Sequence, residues 1–477
     1  MPRPDIARIV VATALLPAVA ASAGIVSAWI DPGGGGFSDA ANWSAGVPGA
    51  LDTALFDLRA TYAVDLAVPA SVQRLIVRRG SVDLALAALL DATSSSALLP
   101  SIVVGDTADR SPSLAILGQV HGRFMDIASG LFGSGTVMVG PGASLDLDQV
   151  LSVGPRGAAA FTVDGGTLAC LRLVAGALDT GDAEVAVHDG TLVADDAIIV
   201  AQKGVASLRL DLGTNATSGD GIVAMSPLSD GTMLVDGVGT TLDLSGTLDI
   251  GRNGEGVLEI TNGATVSVGE FVTVGTIPAS FIFPYWPAGD GLVLVEGDGS
   301  LLTVGGDLYV PLGGIGTVDL RSGGRIEVAG DLVLNSSADS LFRFALKHAG
   351  PVPIIDVAGD VVGEGSSMVL SLADGFTPSP DEPFILIAAT NIVANFDATL
   401  ETGPGFIWSF IIGPLGDRAA VYAMVQAIPD LNGDGIVDGA DLGLLLGNWG
   451  GTGLGDLNGD GVVDGGDLGG LLAAWSG

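Results

Sequence analysis

Two stretches of this chain carry the same pattern and decide its fold. Residues 235–275 read VDGVGTTLDLSGTLDIGRNGEGVLEITNGATVSVGEFVTVG, and residues 295–335 read VEGDGSLLTVGGDLYVPLGGIGTVDLRSGGRIEVAGDLVLN. Aligned without a gap, the two stretches share six glycines, and apolar residues match in kind, as Ile260 matches Leu320. The chain therefore contains an internal duplication whose period is the shift from Val235 to Val295.

Short runs of alternating apolar residues fill each copy of the duplication. VLEI, TVSV and EFVTV are examples, and Asn-Gly, Gly-Gly or Asp-Gly turns separate such runs. These turn residues tolerate a positive φ, and the alternation is typical of strands with one buried face. Strands this short become stable when each coil lies on the previous one. The pattern predicts a mainly β protein with a parallel, right-handed β-solenoid (β-helix) body, and an array of β-sandwiches is the alternative.

The composition agrees with a solenoid and excludes several classes of function. The chain has 74 glycines and 48% hydrophobic residues but only 5% aromatic residues, which suits tightly turning strands around an aliphatic interior. Its 54 acidic residues outnumber its 18 basic ones, and the net charge of −36 excludes nucleic acid as a partner. The single cysteine, Cys170, lies in an alternating run and is expected to be a buried strand residue.

The first residues have the three parts of a secretory signal. Arg3 and Arg8 precede an uncharged run that starts at Ile9, and small residues offer cleavage after Ala23 or Ala28. A membrane anchor is the alternative, because the uncharged run continues to Ile30. We expect a secreted, extracellular or cell-surface protein with no membrane span once the signal is removed.

Both ends of the body differ from its middle. Trp29, Phe37, Trp43 and Phe56 could close the open end of a stack of coils. The opening, with Asn42-Trp43, Gly46 and Pro48, resembles the start of secreted repeat proteins of planctomycete-like and autotransporter-passenger type. The expected organisation is a signal peptide (1–28), an N-terminal β region and cap (29–135), β-solenoid repeats (136–335), a C-terminal β region and cap (336–427) and a C-terminal module (428–477).

The C-terminal module contains a duplicated set of oxygen donors. Asp430 and the four acidic or amide residues that follow it form the first copy, and the same set recurs from Asp456 onwards. In each copy the donors occupy positions 1, 3, 5, 9 and 12 of a calcium loop, a glycine occupies position 6, and position 7 supplies a carbonyl. Because four carboxylates would repel one another without a cation, we expect two Ca²⁺ sites. The expected ligands are Asp430, Asn432, Asp434, Ile436, Asp438 and Asp441 in the first loop, and Asp456, Asn458, Asp460, Val462, Asp464 and Asp467 in the second.

An apolar helix is predicted after each loop. Leucines and a tryptophan recur at helical spacing, and no room is left for a helix before either loop. Two loop–helix units that end in Asp at position 12 resemble a type I dockerin domain. The resemblance implies an all-α module that calcium folds and that docks onto a cohesin-like or other surface protein. The candidate docking residues are Leu442, Leu446, Trp449, Leu468, Leu472 and Trp475.

The module departs from the dockerin pattern at two places. The family often has hydroxyl residues at loop positions 10 and 11, where this chain has Gly439-Ala440 and Gly465-Gly466. The resemblance therefore implies calcium binding more specifically than it implies the usual cohesin recognition. A structural calcium staple without a partner is the alternative.

A separate aromatic segment offers a candidate contact with a polysaccharide. Phe281, Phe283, Tyr285 and Trp286 lie between the two copies of the duplication, and they either stack on sugar rings or fold back onto the body. No constellation of residues in the sequence indicates a catalytic site. The sequence thus favours a secreted, non-catalytic solenoid with a calcium-binding assembly module, and the alternatives are a polysaccharide lyase or glycoside hydrolase, or a carbohydrate-binding protein.

Overall fold

A computed structural model of the chain describes most of its residues with their side chains. The described residues are 24–94, 99–107, 110–276, 289–311, 313–335, 340–347, 351–373, 376, 383–400, 406–427, 429–432, 436–458 and 460–475, of which residues 364–365, 397–400, 406–409 and 425–427 are described by their backbone alone. The predicted signal peptide up to residue 23 and the aromatic residues Phe281, Phe283, Tyr285 and Trp286 lie outside the described residues.

Strands make up nearly all of the regular structure. The strands of the first half are β1 (Val26–Ala28), β2 (Gly35–Gly36), β3 (Thr53–Phe56), β4 (Thr61–Leu66), β5 (Ala70–Val72), β6 (Arg74–Val77), β7 (Ser81–Leu86), β8 (Leu90–Ala92), β9 (Ile102–Val104), β10 (Ser113–Ile116), β11 (Gln119–Gly122), β12 (Met125–Ile127), β13 (Ser134–Val139), β14 (Ser144–Val153), β15 (Ala158–Asp164), β16 (Thr167–Ala175), β17 (Asp182–His188), β18 (Thr191–Val200), β19 (Val205–Asp211) and β20 (Asn215–Val223).

The second half continues in the same way and ends in two short helices. Its strands are β21 (Asp230–Asp236), β22 (Thr241–Leu244), β23 (Leu248–Ile250), β24 (Glu255–Thr261), β25 (Thr265–Val268), β26 (Val272–Val274), β27 (Asp290–Glu296), β28 (Leu301–Val304), β29 (Leu308–Val310), β30 (Ile315–Arg321), β31 (Arg325–Val328), β32 (Leu332–Leu334), β33 (Ser340–Leu346), β34 (Ile355–Val357), β35 (Val361–Leu372), β36 (Phe384–Ala389), β37 (Ile392–Leu400), β38 (Phe406–Leu415) and β39 (Arg418–Ala427). The helices are α1 (Gly439–Gly447) and α2 (Gly465–Ala473), and a 3₁₀ turn covers Ala40–Asn42.

The strands stack in parallel on three faces. Each turn of the chain adds one strand to face A (such as β24, β27 and β30), one to face B (β25, β28 and β31) and one to face C (β26, β29 and β32). The longer β16 and β18 run from face B to face C through a shift in register. The described residues form about 13 such turns, which confirms a parallel β-solenoid, whereas its right-handedness stays a prediction.

The internal duplication consists of two coils of unequal length. Val235 pairs with Ile260, Ile260 pairs with Val295, and Val295 pairs with Leu320. The step from Ile260 to Val295 is longer than the steps before and after it, because this coil contains residues 277–288. The sequence therefore aligns with itself without a gap only when it is shifted by two whole coils. The structural repeat is the single coil.

Turn residues sit at the corners that the sequence pattern predicted. Asn262 and Gly263, between faces A and B, have φ values of 54° and 85°. At the corner between faces C and A, Gly251 has a φ of 66°, and a Cβ atom there would lie 2.1 Å from the carbonyl oxygen of Asp290 in the next coil. Glycine is therefore required at that corner by both backbone conformation and close approach.

The core is a continuous aliphatic column inside the three faces. Alternate residues of each strand point inward, as Leu258 and Ile260 do in β24, and they are fully buried. Cys170 belongs to this column, as expected, and burial raises the pKa of its thiol to about 12. The stack buries each inner face against the coils above and below.

Aromatic side chains pack against the first coils at the N-terminal end. Trp29, Phe37, Trp43 and Phe56 are buried, and the rings of Trp29 and Trp43 meet edge to face with centroids 5.0 Å apart. The indole N–H of Trp43 donates to the carbonyl oxygen of Phe37 at 2.7 Å. The four aromatic residues singled out in the sequence thus form one buried cluster with Tyr62.

The other end of the stack changes from parallel to antiparallel pairing. β36 pairs antiparallel with β39, and β39 pairs antiparallel with β38. Arg418 fixes this hairpin, because its guanidinium donates to the Asp356 carboxylate at 2.6 Å and to the carbonyl oxygen of Val357 at 2.7 Å. None of the described helices is long and apolar enough to cross a membrane.

Candidate functional site

Each loop of the C-terminal module runs directly into a helix. Asp438 caps α1 by accepting a hydrogen bond from the backbone N–H of Ala440 at 2.7 Å, and Asp464 caps α2 by accepting from Gly466 at 2.7 Å. A second carboxylate, Asp441 or Asp467, accepts in return from the backbone N–H of the capping residue. This reciprocal capping box explains why the helices begin where the loops end.

The second loop is held by its own backbone N–H groups. Gly461 donates to the Asp456 carboxylate at 2.9 Å, and Val462 donates to the Asp460 carboxylate at 3.0 Å. Gly461 has a φ of 89°, the sharp turn expected at loop position 6. The backbone N–H of Asp460 donates to the Asn458 amide oxygen at 3.0 Å. Hydrogen bonds within the loop therefore hold the side chains of Asp456, Asn458 and Asp460 in place.

The two position-12 aspartates are the buried anchors of the loops. Both oxygens of Asp467 accept backbone hydrogen bonds, one from Leu457 at 2.6 Å and Asn458 at 3.0 Å, the other from Asp464 at 2.7 Å. Asp441 repeats the arrangement with Asn432 and Asp438. Each carboxylate therefore ties the start of its loop to the first turn of its helix.

Hydrogen bonding keeps both anchors ionised. Desolvation by burial would raise the pKa of Asp441 and of Asp467, but the backbone N–H donors outweigh it and hold both pKa values below the usual range. The sequence assigned these residues a ligand role, and their role in closing the loops was not foreseen. The capping-box spacing, with one Asp at the cap and another at the third helical position, could have indicated it.

The ligand set of the first loop is described only in part. Asp430, Asn432, Ile436, Asp438 and Asp441 are described, and Asp434 lies outside the described residues. Among the residues that the structure describes, no group of three His, Cys, Asp or Glu side chains lies close enough to hold a metal ion.

The chemistry of the donors in the second loop fits a hard divalent cation. Asp456, Asn458 and Asp460 would supply carboxylate and amide oxygens and Val462 would supply a carbonyl, so all of these candidate donors are oxygens. Asp460 is exposed, as is Asp464, so both carboxylates can turn towards an ion without breaking the core. The calcium sites stay a prediction that this donor set supports.

The two helices share a small apolar cluster and expose a second apolar surface. Val437, Leu445, Val463 and Leu471 are buried between them, and Leu442 and Leu468 pack against that cluster. The predicted docking residues that remain on the surface are Leu446 (51% exposed), Trp449 (49%), Leu472 (53%) and Trp475 (40%). The duplication therefore presents the same Leu–Trp pair twice.

Two histidines of the body bridge successive coils. His121 lies between Asp91, at 2.8 Å from its Nδ1, and Asp148, at 3.3 Å from its Nε2. His188 contacts Asp211, which Arg209 also contacts at 2.5 Å. Both histidines are thus side chains that join neighbouring strands through carboxylates.

The described grooves on the body differ in whether cations accompany their acids. One groove on face B is lined by Asp195, Thr217, Asp243 and Ser267, with no arginine or lysine in it. In another, the Asp356 carboxylate is tied to Arg418 at 2.6 Å. Asp126 is a half-buried carboxyl whose pKa desolvation raises to about 6, and Arg156 and Ser152 partly oppose that shift. A further groove is lined by Asp230, Glu255 and Asp290, and like the groove on face B it has no arginine or lysine among its lining residues.

A basic corner of the body was missed by sequence reasoning. Arg321 and Arg325 lie close together in the sequence, and the next coil adds Arg343 and Lys347 beside them, because Asp319 pairs with Arg343 and Arg321 with Ala345. Residues that lie one coil apart in the sequence, as Leu301 and its partner Arg325 do, become neighbours in adjacent coils. The coil length is therefore the signal that could have indicated this cluster.

No protein-family model matches the sequence, and the comparison with curated proteins found no match either.

Proposed function

We propose that this chain is a secreted, non-catalytic β-solenoid whose C-terminal module binds two calcium ions and mediates extracellular assembly or attachment to a surface. The observation that carries the proposal is the duplicated loop–helix unit, with oxygen donors at the spacing of a calcium loop in both copies. The residues that would hold the ions are those at positions 1, 3, 5, 7, 9 and 12 of each loop.

Bound calcium would supply the positive charge that the loops lack. The module from residue 428 onwards carries eight aspartates and no basic residue. Among the described residues of the module, the buried apolar cluster has four members, Val437, Leu445, Val463 and Leu471. A core this small gives a module of this size little stability of its own, so neutralising the loop carboxylates is expected to decide whether α1 and α2 form.

The docking part of the proposal rests on the exposed Leu–Trp pairs. Leu446 with Trp449, and Leu472 with Trp475, leave about half of each side chain in solvent although the helices have an apolar core to join. Exposed aromatic and aliphatic side chains of this kind commonly anchor a protein partner. The partner is expected to be a cohesin-like or other surface protein, and its binding is expected to require calcium.

The body supports a structural role over a catalytic one. Two of the described grooves are lined by carboxylates without an arginine or lysine, and in a third the Asp356 carboxylate is tied to Arg418 at 2.6 Å, an arrangement that favours a structural role. Secretion rests on the signal-like residues 1–28.

The experiment that tests the assembly role is a pull-down with the full chain as bait. Secreted and surface proteins of the source organism are captured in calcium and in chelator, with wild type and with the Trp449→Ala/Trp475→Ala variant. A partner recovered only in calcium, and only with the wild type, supports docking. If calorimetry detects calcium binding but the pull-down recovers no calcium-dependent partner, the module is a structural calcium staple without a docking role.

A further inference from the structure

Four of the chain's few cationic side chains gather at one corner of the solenoid. Arg321 ends β30 and Arg325 begins β31, while Arg343 and Lys347 come from β33 and its end in the next coil. The whole chain has 18 basic residues against 54 acidic ones. A local concentration of cations in so acidic a protein indicates a site for an anion.

These four residues line two adjoining cavities, which together we call the basic cleft. Arg325 and Lys347 face the first cavity, and Arg321 and Arg343 face the second. Ala345 lines both cavities, so they meet at that residue. The cations therefore stand along a continuous depression, where an extended ligand could meet them one after another.

Acidic residues pair with three of the four cations of the cleft, and the charge of Arg343 stays available. Arg325 contacts Glu327 at 3.3 Å in a partly exposed pair. Asp319 is 3% exposed and is neutralised by Arg321, with contacts of 2.9 and 2.6 Å. Lys347 contacts Asp298 at 2.7 Å in a solvent-exposed pair, and such pairs contribute little and exchange readily. Arg343 is exposed and makes no ion pair among the described residues.

One wall of the cleft is apolar and contains no described aromatic ring. Pro351, Val352 and Pro353 line the first cavity beside Arg325 and Lys347, and Val352 is 54% exposed. An apolar wall next to cations suits a ligand with a hydrocarbon face and an anionic substituent. A sugar ring that carries a carboxylate or a sulfate has both features.

The backbone around the cleft disfavours an acidic peptide. Extended peptides commonly bind by pairing with a free strand edge. Here β30 is paired with β27 and β33, and β31 with β28 and β34. β33 is likewise paired on both sides, with β30 and β35. The strands that carry the cations therefore have no free edge to offer.

We propose that the basic cleft binds an acidic oligosaccharide, whose carboxylate or sulfate groups pair with Arg343, Lys347 and Arg325 while a sugar ring lies on Pro351 and Val352. This binding site belongs to the body and does not depend on the calcium module. It gives the solenoid a recognition role in addition to its role as a scaffold.

Calorimetry of the full chain in chelator tests the cleft without bridging by calcium. The probes are oligogalacturonate for the carboxylate, dextran sulfate for the sulfate and neutral dextran as the uncharged comparison. Binding is expected for at least one anionic probe and not for neutral dextran. The double variant Arg343→Ala/Lys347→Ala is expected to weaken that binding at least about tenfold, because it removes two charge-assisted contacts.

Lys203→Ala is the matched control, since Lys203 is an exposed cation of the body at a distant turn and has no ion pair among the described residues. It is expected to leave the affinity unchanged. Equal binding by the double variant and the wild type overturns the proposal, and so does an equal loss in Lys203→Ala. Polyglutamate that binds as tightly as the sugars, with the same sensitivity to the double variant, would instead assign the cleft to acidic peptides.

Discussion

The solenoid body and the C-terminal module of this chain differ in the interactions that are available to stabilise them. The body buries one apolar side chain after another along a column of about 13 turns, and hydrogen bonds join each strand to the next. In its described part the module has four buried apolar residues, and its two loops are rich in carboxylates. Apolar burial is the main stabilising term of the body, whereas the module is expected to need its charges neutralised.

The substitution with the largest expected effect destabilises the body and leaves the module unchanged. Leu258 is fully buried in the middle of the stack, between the paired residues Met233 and Val293. Leu258→Ala should cost about 2–5 kcal/mol, because it leaves a cavity in a column that cannot collapse freely. Hydrogen exchange is expected to accelerate in β21, β24 and β27 and to stay unchanged in α1 and α2.

Val257→Ala is the matched control for that substitution. Val257 is the preceding residue of β24 and points outward, so its truncation should leave exchange in the same strands almost unchanged. Similar acceleration in both variants would mean that the inward column is not what stabilises the body.

The second prediction separates the two calcium loops. Asp460 is an exposed donor of the second loop, so Asp460→Ala should remove one site and leave the first loop intact. Titration calorimetry of the full chain is expected to fall from two bound calcium ions to one. Asp417→Ala, a change at an exposed turn of the body, should leave the stoichiometry at two. An unchanged stoichiometry in Asp460→Ala would remove the second loop from the ligand assignment.

The third prediction concerns the dependence of the module's stability on pH. The pKa values of Asp441 and Asp467 are held below the usual carboxyl range, so their contribution to stability is present above about pH 4 and is lost as the pH falls through the lowered values. In calcium-free buffer, any residual protection of α1 and α2 should disappear on acidification. Asp467→Asn should remove the acid dependence of α2 alone, as followed by hydrogen exchange corrected for the intrinsic rate at each pH.

The smallest expected effect lies in the body. Desolvation would lower the pKa of His121, but hydrogen bonds with Asp91 and Asp148 outweigh it and raise the pKa. A raised pKa means that the contact stabilises the coils at low pH and that this contribution fades as the pH rises through the folded value. An NMR titration should place His121 above an ordinary histidine, and Asp148→Asn should lower its value. A titration at the ordinary histidine pKa would show that the bridge does not form in solution.

Much of the body could be predicted from sequence because its signals are local. Alternation in VLEI and TVSV gives the strands, and Asn262-Gly263 gives the turn between two of them, since each depends on neighbouring residues alone. The length of a coil could not be read directly. The insertion at 277–288 lengthens the step from Ile260 to Val295, so the visible period is the sum of two coils.

The sites were less predictable because they depend on contacts between coils. Arg321 and Arg343 lie in different coils and become neighbours only through the register of β30 and β33. The spacing of the candidate oxygen donors can be read within each loop, and their binding of calcium stays a prediction. The hydrogen bonds that saturate Asp467 could not be predicted, because they require the loop to fold back onto α2.

Hydrogen exchange of the full chain in calcium and in chelator tests the contrast between body and module most directly. We expect calcium to raise the protection of the amides of α1 and α2 strongly, while those of β21, β24 and β27 keep the same protection in both conditions. Equal protection of the two helices with and without calcium would contradict this expectation.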